Sequence, residues 1–359
     1  MCYCTFLYNH VITKILAKHY IDFNQSKDVA NLKREILNFL KENKFSFISG
    51  QDISNKLGVT RTSIWKYINQ LKEDGYEIES VSKKGYRFIS SPDILTFDEI
   101  EPYLNTKIIG RNIFHFDSIG STNTKAKELA DADKSHGSIV ISEEQISGRG
   151  RLGRSWVSPK YKGIWMSIIL NPDLSPIDAS KLTQTAAAAV VNATEELGLK
   201  ACVKWPNDIV VNHKKVCGIL TEMSAELTRI NYVIVGIGVN VNIDEGDFPE
   251  DIKQIASSLK IETKSKINRQ ELVGKILNNF EILYNKFVDD NDIKASIDIC
   301  RDNSAVIGKN IFVVNHGKNI KAKVLDIDEE GRLVIEYENG ARENLISGEV
   351  SIRSNGNYI

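Results

Sequence analysis

Apolar residues recur at helical spacing from Leu32 onward, and this period predicts a helix whose apolar face packs into a core. That face consists of Leu32, Ile36, Leu37, Phe39 and Leu40, with lysines on the other faces. Residues 1–31 show no comparable period. We therefore expect them to form a disordered extension without chemistry of its own.

Two shorter helices and a hairpin are predicted next. Ser49 can cap the first helix, Gly58 ends it, and Thr60 can cap the second. The second helix carries apolar residues at i, i+4 and i+7, namely Ile64, Ile68 and Leu71. Alternating residues from 76 to 88 surround a Lys-Lys-Gly turn, which is the pattern of a β-hairpin. A helix, a helix-turn-helix and a hairpin in this order indicate a winged helix.

The rest of the chain mixes strand and helix patterns. Ser, Pro and Asp at residues 90–93 predict a boundary. Apolar runs then predict a strand that begins at 113 and ends before the helix at 121, a strand at 139–141 and a buried strand within 163–174. They also predict an Ala-rich helix within 181–199 and further strands between 201 and 242. Short alternating strands beyond residue 300 are typical of a small barrel. We predict an α+β multidomain chain with a winged helix-turn-helix domain at 32–91, a central domain at 92–300 and a C-terminal domain at 301–359.

Composition limits the possible classes of protein. The 359 residues carry a formal charge of -1, with 42% hydrophobic and 26% charged residues, so the chain is not a globally basic nucleic-acid coat. No stretch approaches about 18 consecutive apolar residues, and the first twenty residues mix charge with apolar positions. Five scattered cysteines fit reduced thiols better than a disulfide framework. We expect a cytoplasmic protein.

Local charge makes the winged helix a candidate DNA-binding module. Residues 32–91 hold eleven Lys and Arg against seven Asp and Glu, an excess of four. The candidate groove residues on the second helix are Arg61, Thr62, Ser63, Lys66 and Tyr67, and the candidate wing residues are Lys83, Lys84 and Arg87. A solvated basic face or a protein-contact module remains the alternative. Because one module contacts only a few base pairs, sequence-specific binding would require a dimer.

The stretch GRGRLGRSW, residues 148–156, matches G-x-G-x-x-G through three glycines. A dinucleotide site needs a helix beginning at the second glycine, and the arginine spacers with nearby Pro159 do not permit one. We therefore expect a flexible cationic loop, in which glycines let the backbone approach a ligand and arginines neutralise phosphate or carboxylate. A solvated charged loop is the alternative.

Other polar residues stand out against apolar surroundings. Lys204 lies in an otherwise apolar strand, where a buried ammonium requires an anionic partner. The alternative is a strand lysine that points outward to water. Ser121-Thr122-Asn123 opens a predicted helix and suits either capping or a small polar ligand group. Asn240 and Asn242 lie where a strand ends.

Four motifs follow the predicted winged helix: GRGRLGRSW, KWPNDI, KVCGIL and GIGVNVN. In this order they resemble the biotin protein ligases of the bifunctional type, which also act as repressors of the biotin operon. The resemblance spans about residue 32 to the C-terminus. It implies a central fold related to class II aminoacyl-tRNA synthetases and lipoate ligases, and an SH3-like C-terminal barrel. Lipoate ligases lack this arginine loop pattern, and the family supplies no role for the extension at 1–31.

The resemblance also implies the reaction and its residues. The biotin carboxylate attacks the α-phosphate of ATP to give biotinyl-5′-AMP and pyrophosphate, and a lysine of a biotin carboxyl carrier protein then takes the biotin and releases AMP. The implied catalytic residues are Lys204, Arg149 and Arg151. The implied biotin-binding residues are Ser121, Thr122, Asn123, Gln145, Arg149, Gly150, Arg151, Lys204 and Gly218. The implied nucleotide-binding residues are Arg149, Arg151, Arg154, Trp156, Asn207, Lys215 and Asn240.

Cofactor and partners follow from the same resemblance. Mg²⁺ is expected to arrive with ATP, without a dedicated protein cage. Asp208 is a candidate to hold the ion through water, although an Asn-Asp turn is more often only a turn. The implied partners are the carrier protein, biotin operator DNA and a second copy of the chain once ligand is bound. Two rival functions remain: a ligand-sensing transcription factor with an inactive core, and a lipoate or other acyl-adenylate ligase.

Overall fold

The computed structural model describes residues 32–130, 136–227, 229–315, 318–346 and 351–353. The extension predicted at 1–31 lies outside the described residues. The chain divides into two compact units between Pro92 and Asp93. No helix within the described ranges is long and apolar enough to cross a membrane.

The first unit contains three helices and a hairpin. Its elements are α1 (residues 32–42), α2 (Gly50–Leu57), α3 (Arg61–Glu73), β1 (Glu77–Val81) and β2 (Gly85–Ser90). The predicted caps are confirmed: the Ser49 side chain accepts from the amide of Asp52, and Thr60 accepts from the amide of Ser63. Gly58 ends α2 with a left-handed φ of 68°. These local contacts explain why the helix boundaries could be predicted.

The core of this unit contains the predicted apolar stripe and one residue assigned to the wrong face. Ile64, Ile68 and Leu71 are buried as expected. Tyr67, predicted on the exposed face of α3, is buried beside them, because i+3 from Ile64 lies on the same helical face. The hairpin approaches the start of α2 so closely that a Cβ on Gly85 would lie 2.0 Å from the carbonyl oxygen of Ile48. The winged-helix prediction is therefore confirmed, except for Tyr67.

The second unit is built on a seven-stranded sheet with the order β3-β4-β5-β9-β8-β7-β6. Its strands are β3 (Ile113–Phe116), β4 (Ile139–Ser142), β5 (Gly163–Leu170), β6 (Cys202–Lys204), β7 (Asp208–Val211), β8 (Lys214–Ala225) and β9 (Ile230–Asn240). Only β3 and β4 pair in parallel; the other neighbours are antiparallel. Every residue of the central strand β5 is buried, which accounts for its unbroken apolar run.

Helices cover both faces of this sheet. They are α4 (Phe97–Ile100), α5 (Thr122–Ala130), α6 (Leu182–Glu195), α7 (Leu259–Thr263), α8 (Arg269–Asp289) and α9 (Lys294–Asp302). Alternate strand residues separate the two faces: Val140 and Ile169 pack with α5, whereas Ile141 and Ile168 belong to the core that contains α6 and α8. The alanines of α6 are buried, so this helix lies close to its neighbours.

Five antiparallel strands form the C-terminal part of the second unit, with the order β13-β12-β11-β10-β14. They are β10 (Asn310–Asn315), β11 (Lys318–Ile327), β12 (Leu333–Tyr337), β13 (Arg342–Leu345) and β14 (Ser351–Arg353). Sequence patterning did not predict β13, whose residues are mostly exposed and polar. The apolar core runs continuously from the sheet into these strands, and the domain boundary at residue 300 stays a prediction.

Candidate active site

One cavity of about 620 Å³ lies in the second unit, and every predicted catalytic, biotin-binding and nucleotide-binding residue lines it. These residues are Ser121, Thr122, Asn123, Gln145, Arg149, Gly150, Arg151, Arg154, Trp156, Lys204, Asn207, Lys215, Gly218 and Asn240. Residues from the start of α5, the 148–156 loop and strands β6, β8 and β9 meet here. The fold thus brings together positions separated by more than a hundred residues.

The 148–156 loop is folded back on itself. Arg149 and Ser155 form an antiparallel bridge, and the amide of Gly150 donates to the carbonyl of Arg154 at 2.7 Å. At the tip, Leu152 and Gly153 have φ values of 57° and 72°. The only helical turn here spans Arg151–Gly153, too short for the helix that follows a dinucleotide fingerprint. The loop therefore presents backbone and arginines to the cavity.

Trp156 rests on two glycines of the sheet. Gly218 and Gly238 face each other across β8 and β9. A Cβ added to Gly218 would lie 3.0 Å from the Trp156 indole, and a Cβ added to Gly238 would lie 2.7 Å from its Nε1. Trp165 meets the ring edge-on at 6.4 Å, and the Lys215 ammonium lies 5.0 Å from it. The indole Nε1 is buried, and no residue that the structure describes accepts a hydrogen bond from it. Gly218 thus makes room for Trp156; its contact with biotin stays a prediction.

A cluster of cations surrounds one carboxylate at the β6–β7 turn. Lys204 is only 8% exposed, so the outward-pointing alternative is wrong. Lys204 lies opposite Asp208 in the backbone register of the two strands, and the Asp208 carboxylate lies 2.6 Å from the Lys215 ammonium. Arg151 donates to the Asn207 side chain at 3.0 Å. Burial lowers the pKa of Arg151, while nearby Asp208 raises it. Excess positive charge in an enclosed cavity suits an anionic ligand.

Hydrogen-bonding side chains line the part of the cavity near α5. The side-chain oxygen Oε1 of Gln145 accepts from the backbone amide of Thr122 at 2.8 Å, and its side-chain Nε2 donates to the Ser158 hydroxyl at 2.9 Å. The Ser167 hydroxyl donates to the side-chain oxygen Oδ1 of Asn123 at 2.6 Å. This network fixes the orientation of the amide groups. It provides donors and acceptors for a neutral polar ring.

Asn240 and Asn242 hold backbone segments beside the cavity. Asn240 donates to the carbonyl of Ser257 at 3.0 Å, and Asn242 both donates to and accepts from Ile267. Asn240 also lines the cavity, so its contact with nucleotide remains open.

Several residues at the cavity were not predicted. Trp205 follows Lys204 and is almost fully buried. Gly236 leaves room for the Asn123 side chain, because a Cβ added to Gly236 would lie 2.2 Å from the side-chain oxygen Oδ1 of Asn123. The apolar wall consists of Phe248, Ile252, Ile255 and Ala256. Alternating glycines in GIGVNVN were a signal for close packing at β9, but they did not identify the side chains involved.

A buried ion-pair network lies outside this cavity. Arg269 donates to Glu143 and to Asp93, each at 2.9 Å, and neither Arg269 nor Glu143 has exposed side-chain surface. Glu143 also accepts from the amide of Leu95 at 2.7 Å and contacts the His115 ring at 2.9 Å. Burial alone would raise the pKa of Glu143, but His115, Arg269 and Leu95 hold it below its ordinary value.

The candidate DNA-binding surface of the first unit presents most of the predicted side chains. Arg61, Thr62 and Lys66 are exposed on α3, whereas Ser63 is half-buried. Trp65, which was not predicted, lies among them with 60% of its surface exposed. A large apolar side chain on this face is the feature that sequence reasoning missed.

The predicted wing is basic at its tip. Lys83 and Lys84 are exposed at the turn between β1 and β2. Arg87 instead donates to the Glu79 carboxylate, with Nε at 3.0 Å, and stacks 4.7 Å from the Phe47 ring. Arg87 is therefore already paired, and the exposed positive charge at the tip of the wing comes from Lys83 and Lys84, with the Lys84 ammonium 5.8 Å from the Phe47 ring.

Within the described part of the chain, no group of three or more His, Cys, Asp or Glu side chains could hold a metal ion. Asp208 contacts the Lys215 ammonium.

Comparisons with known proteins match both units. Residues 115–240 match the Biotin/lipoate A/B protein ligase family, residues 32–87 an HTH domain, and residues 306–353 the Biotin protein ligase C terminal domain. The bifunctional ligase/repressor BirA of Bacillus subtilis is 39% identical over 88% of this chain and 97% of its own length. The BirA of Escherichia coli is 27% identical over 86% and 94%, respectively.

A solved structure shares the fold of most of the chain. The biotin protein ligase from Aquifex aeolicus in complex with biotin and ATP matches with a TM-score of 0.60 and 30% identity. The match covers 68% of this chain and 100% of that one.

Proposed function

The chain belongs to the bifunctional ligase/repressor family of biotin protein ligases, and from this membership we propose a role for each part of the cavity. The protein is an ATP-dependent ligase that forms biotinyl-5′-AMP and transfers biotin to a lysine of a biotin carboxyl carrier protein. It is also a DNA-binding repressor of biotin genes, with biotinyl-5′-AMP as corepressor. The single observation that best supports the chemistry is the buried lysine of β6 inside a cationic cavity.

Lys204 is the principal catalytic residue. Attack of the biotin carboxylate on the α-phosphate gathers negative charge on both groups, and a fixed ammonium stabilises that charge without reorganisation. Lys204 is held on a short strand and is largely buried, so water screens its electrostatic interaction with the ligand only weakly. No protein nucleophile is required. Arg149 and Arg151 add forked donors from the loop for the carboxylate and phosphate oxygens.

Biotin binds at the end of the cavity near α5. Its ureido ring needs both donors and acceptors, which Ser121, Thr122, Asn123 and Gln145 supply. The hydrogen bond between Thr122 and Gln145 orients these groups before biotin arrives. When biotin binds, hydrogen bonds to the ureido ring replace hydrogen bonds within this network, so the buried polar groups still have hydrogen-bond partners.

The nucleotide binds beside Trp156. The indole is held by Gly218 and Gly238, and adenine stacking against an immobilised ring costs little ordering. Lys215 and Arg154 lie at the same side and meet the phosphates, with Asn207 close to Arg151. Mg²⁺ carried by the phosphates of ATP would supply neutralising charge for the pyrophosphate leaving group.

A pyrophosphate-release assay distinguishes this function from its rivals. With ATP and Mg²⁺ present, biotin should stimulate pyrophosphate release, and lipoate at the same concentration should not. Equal stimulation by lipoate would instead indicate another acyl-adenylate ligase. No stimulation by either acid would indicate a ligand-sensing protein with an inactive core.

DNA binding is assigned to α3 and the wing. Arg61, Thr62, Ser63 and Lys66 meet base edges and phosphates in the major groove, and Lys83 and Lys84 meet the backbone. Trp65 can donate only its indole N–H, and its large apolar face suits the thymine methyl, the apolar group of that groove. A gel shift with the upstream region of the biotin genes tests this assignment, and loss of the shift is expected for Lys66→Ala.

Dimerisation supports the repressor role. One winged helix contacts few base pairs, so a ligand-dependent homodimer on a two-fold operator would provide sequence specificity. If biotinyl-5′-AMP favours the dimer, dimerisation must tighten ligand binding equally. Sedimentation velocity should show a larger species only when biotin and ATP are both present. A monomer under both conditions would remove the dimer from the account.

A cytoplasmic location is also proposed. The free thiols of Cys202, Cys217 and Cys300 support it, because reduced cysteines are typical of that compartment.

A further inference from the structure

The strand that carries the catalytic lysine is short and lies at the edge of the sheet. β6 has three residues and pairs on one side with β7. On its other side, the amide of Val203 donates to the carbonyl of Asn303 at 2.8 Å, and the amide of Ala305 donates back to Val203 at 2.9 Å. The segment after α9 therefore completes the hydrogen bonding of an edge strand that is too short to be firmly held by one neighbour.

Trp205 is held from the C-terminal strands. Its indole Nε1 donates to the carbonyl of Gly331 at 3.1 Å, and the Gln184 amide donates to the same oxygen at 2.5 Å. Gly331 lies in the turn between β11 and β12 and has a φ of 77°. A Cβ added there would lie 1.9 Å from the side-chain oxygen Oε1 of Gln184. Only glycine lets the turn come this close.

The turn itself is fixed to the rest of the second unit. The Asp328 side chain accepts from the amides of Glu330 at 3.0 Å and Arg332 at 2.8 Å. Glu330 pairs with Lys181 at 2.5 Å, just before α6. Arg301 of α9 donates to the carbonyl of Ile327 at 2.9 Å. The Gly331 carbonyl is thus a rigid acceptor and not a mobile loop atom.

We propose that the Gly331 carbonyl positions Trp205, and through it Lys204, for formation of the adenylate. The residues on both sides of Lys204 are hydrogen-bonded to C-terminal segments, Val203 to the 303–305 connection and Trp205 to the β11–β12 turn. The C-terminal strands therefore contribute to the first half-reaction without touching its reacting atoms. The inference rests on the proposed function of Lys204.

Two variants remove this contact in different ways. Trp205→Phe keeps an aromatic ring but removes the N–H, and Gly331→Ala introduces a side chain against Gln184. Small misplacements of a reacting group reduce rates by up to about 100-fold. With excess carrier domain present to consume the adenylate, we expect both variants to lower the kcat of biotin-dependent pyrophosphate release about 10- to 100-fold. The KM for biotin should change less than about threefold, because the Thr122 and Gln145 network is untouched.

Gly340→Ala is the matched control. Gly340 lies in the next turn of the same domain with a φ of 82°, and nothing lies within 4 Å of an added Cβ. It therefore introduces similar backbone strain without the clash. Kinetics are compared at a temperature where thermal melting shows every protein folded, so a purely structural loss cannot lower kcat.

A double variant tests whether the effect acts through the lysine. In a Lys204→Met background, Trp205→Phe should cause little further loss, because the group that it positions is gone. A full additional 10-fold loss would overturn the inference, as would wild-type kcat in both Trp205→Phe and Gly331→Ala. Failure of the proposed function gives a different result, in which the wild-type protein itself shows no biotin-dependent release.

Discussion

Replacing Arg269 with methionine should strongly destabilise the second unit. The guanidinium is fully buried and donates to Glu143, to Asp93 and to the carbonyl of Gly163. Methionine fills much of the space of the arginine stem, so loss of packing is small. The main cost is that the Glu143 carboxylate remains buried with only His115 and the Leu95 amide as partners. Breaking a buried ion pair in this way costs about 3–5 kcal/mol.

The loss should depend on pH in a defined direction. In the wild-type protein the pKa of Glu143 is lowered, so its stabilising contribution is present above the unfolded pKa and is lost as pH falls through the folded value. Burial acts to raise the pKa of Glu143, and without Arg269 one of the partners that oppose this effect is lost, so the pKa rises from its wild-type value. The stability difference between variant and wild type should therefore be largest near neutral pH and shrink as pH falls toward about 4, where the carboxyl takes up a proton.

Urea unfolding followed by tryptophan fluorescence measures this loss. In a Trp65→Phe background, the remaining tryptophans, Trp156, Trp165 and Trp205, all report on the second unit. Lys275→Met is the control on the same helix. It removes a partly exposed pair with Glu196 and should cost at most about 1 kcal/mol. Equal losses for Arg269→Met and Lys275→Met, without pH dependence, would refute the importance of the buried network.

Three further variants test the site and the DNA-binding surface. Lys204→Met should slow biotin-dependent pyrophosphate release about 100- to 1,000-fold, whereas Lys260→Met, which removes an exposed pair with Asp244, should leave the rate unchanged. Gly238→Ala should displace Trp156 and raise the KM for ATP about 10-fold, because one stacking contact is lost. An unchanged KM would argue against contact between Trp156 and the nucleotide. Trp65→Ala should weaken binding of the biotin-gene fragment about 10-fold. Replacing dT by dU in the fragment should weaken the wild-type complex but not the Trp65→Ala complex, and equal weakening would argue against thymine contact.

Local sequence signals were sufficient for the winged helix. Ser49, Gly58 and Thr60 act on the backbone within a few residues of their own positions, so their effect is visible in the sequence. Tyr67 was misassigned because its hydroxyl suggested exposure, although its spacing from Ile64 places it on the buried face. The pairing of Arg87 with Glu79 follows from the hairpin register, which could have been derived from the turn.

The candidate site was predictable in its residues but not in its supports. Arginine and glycine density marked the 148–156 loop, and the burial cost of a charged group marked Lys204. Trp205 and Arg269 gave no comparable signal, because their partners lie far away in the sequence. Arg269 and Glu143 are 126 residues apart, and Trp205 and Gly331 are also 126 apart. Such pairs become visible only when the sheet and helices are assembled.

The most direct test of the account is transfer of biotin to its acceptor. The wild-type chain is incubated with ATP, Mg²⁺, labelled biotin and a purified biotin carboxyl carrier domain, and the carrier is examined by mass spectrometry. The account predicts one biotin on a single carrier lysine, dependent on ATP and strongly reduced by Lys204→Met. An unmodified carrier, under conditions in which the Bacillus subtilis relative modifies it, would contradict the assignment of this chain as a biotin protein ligase.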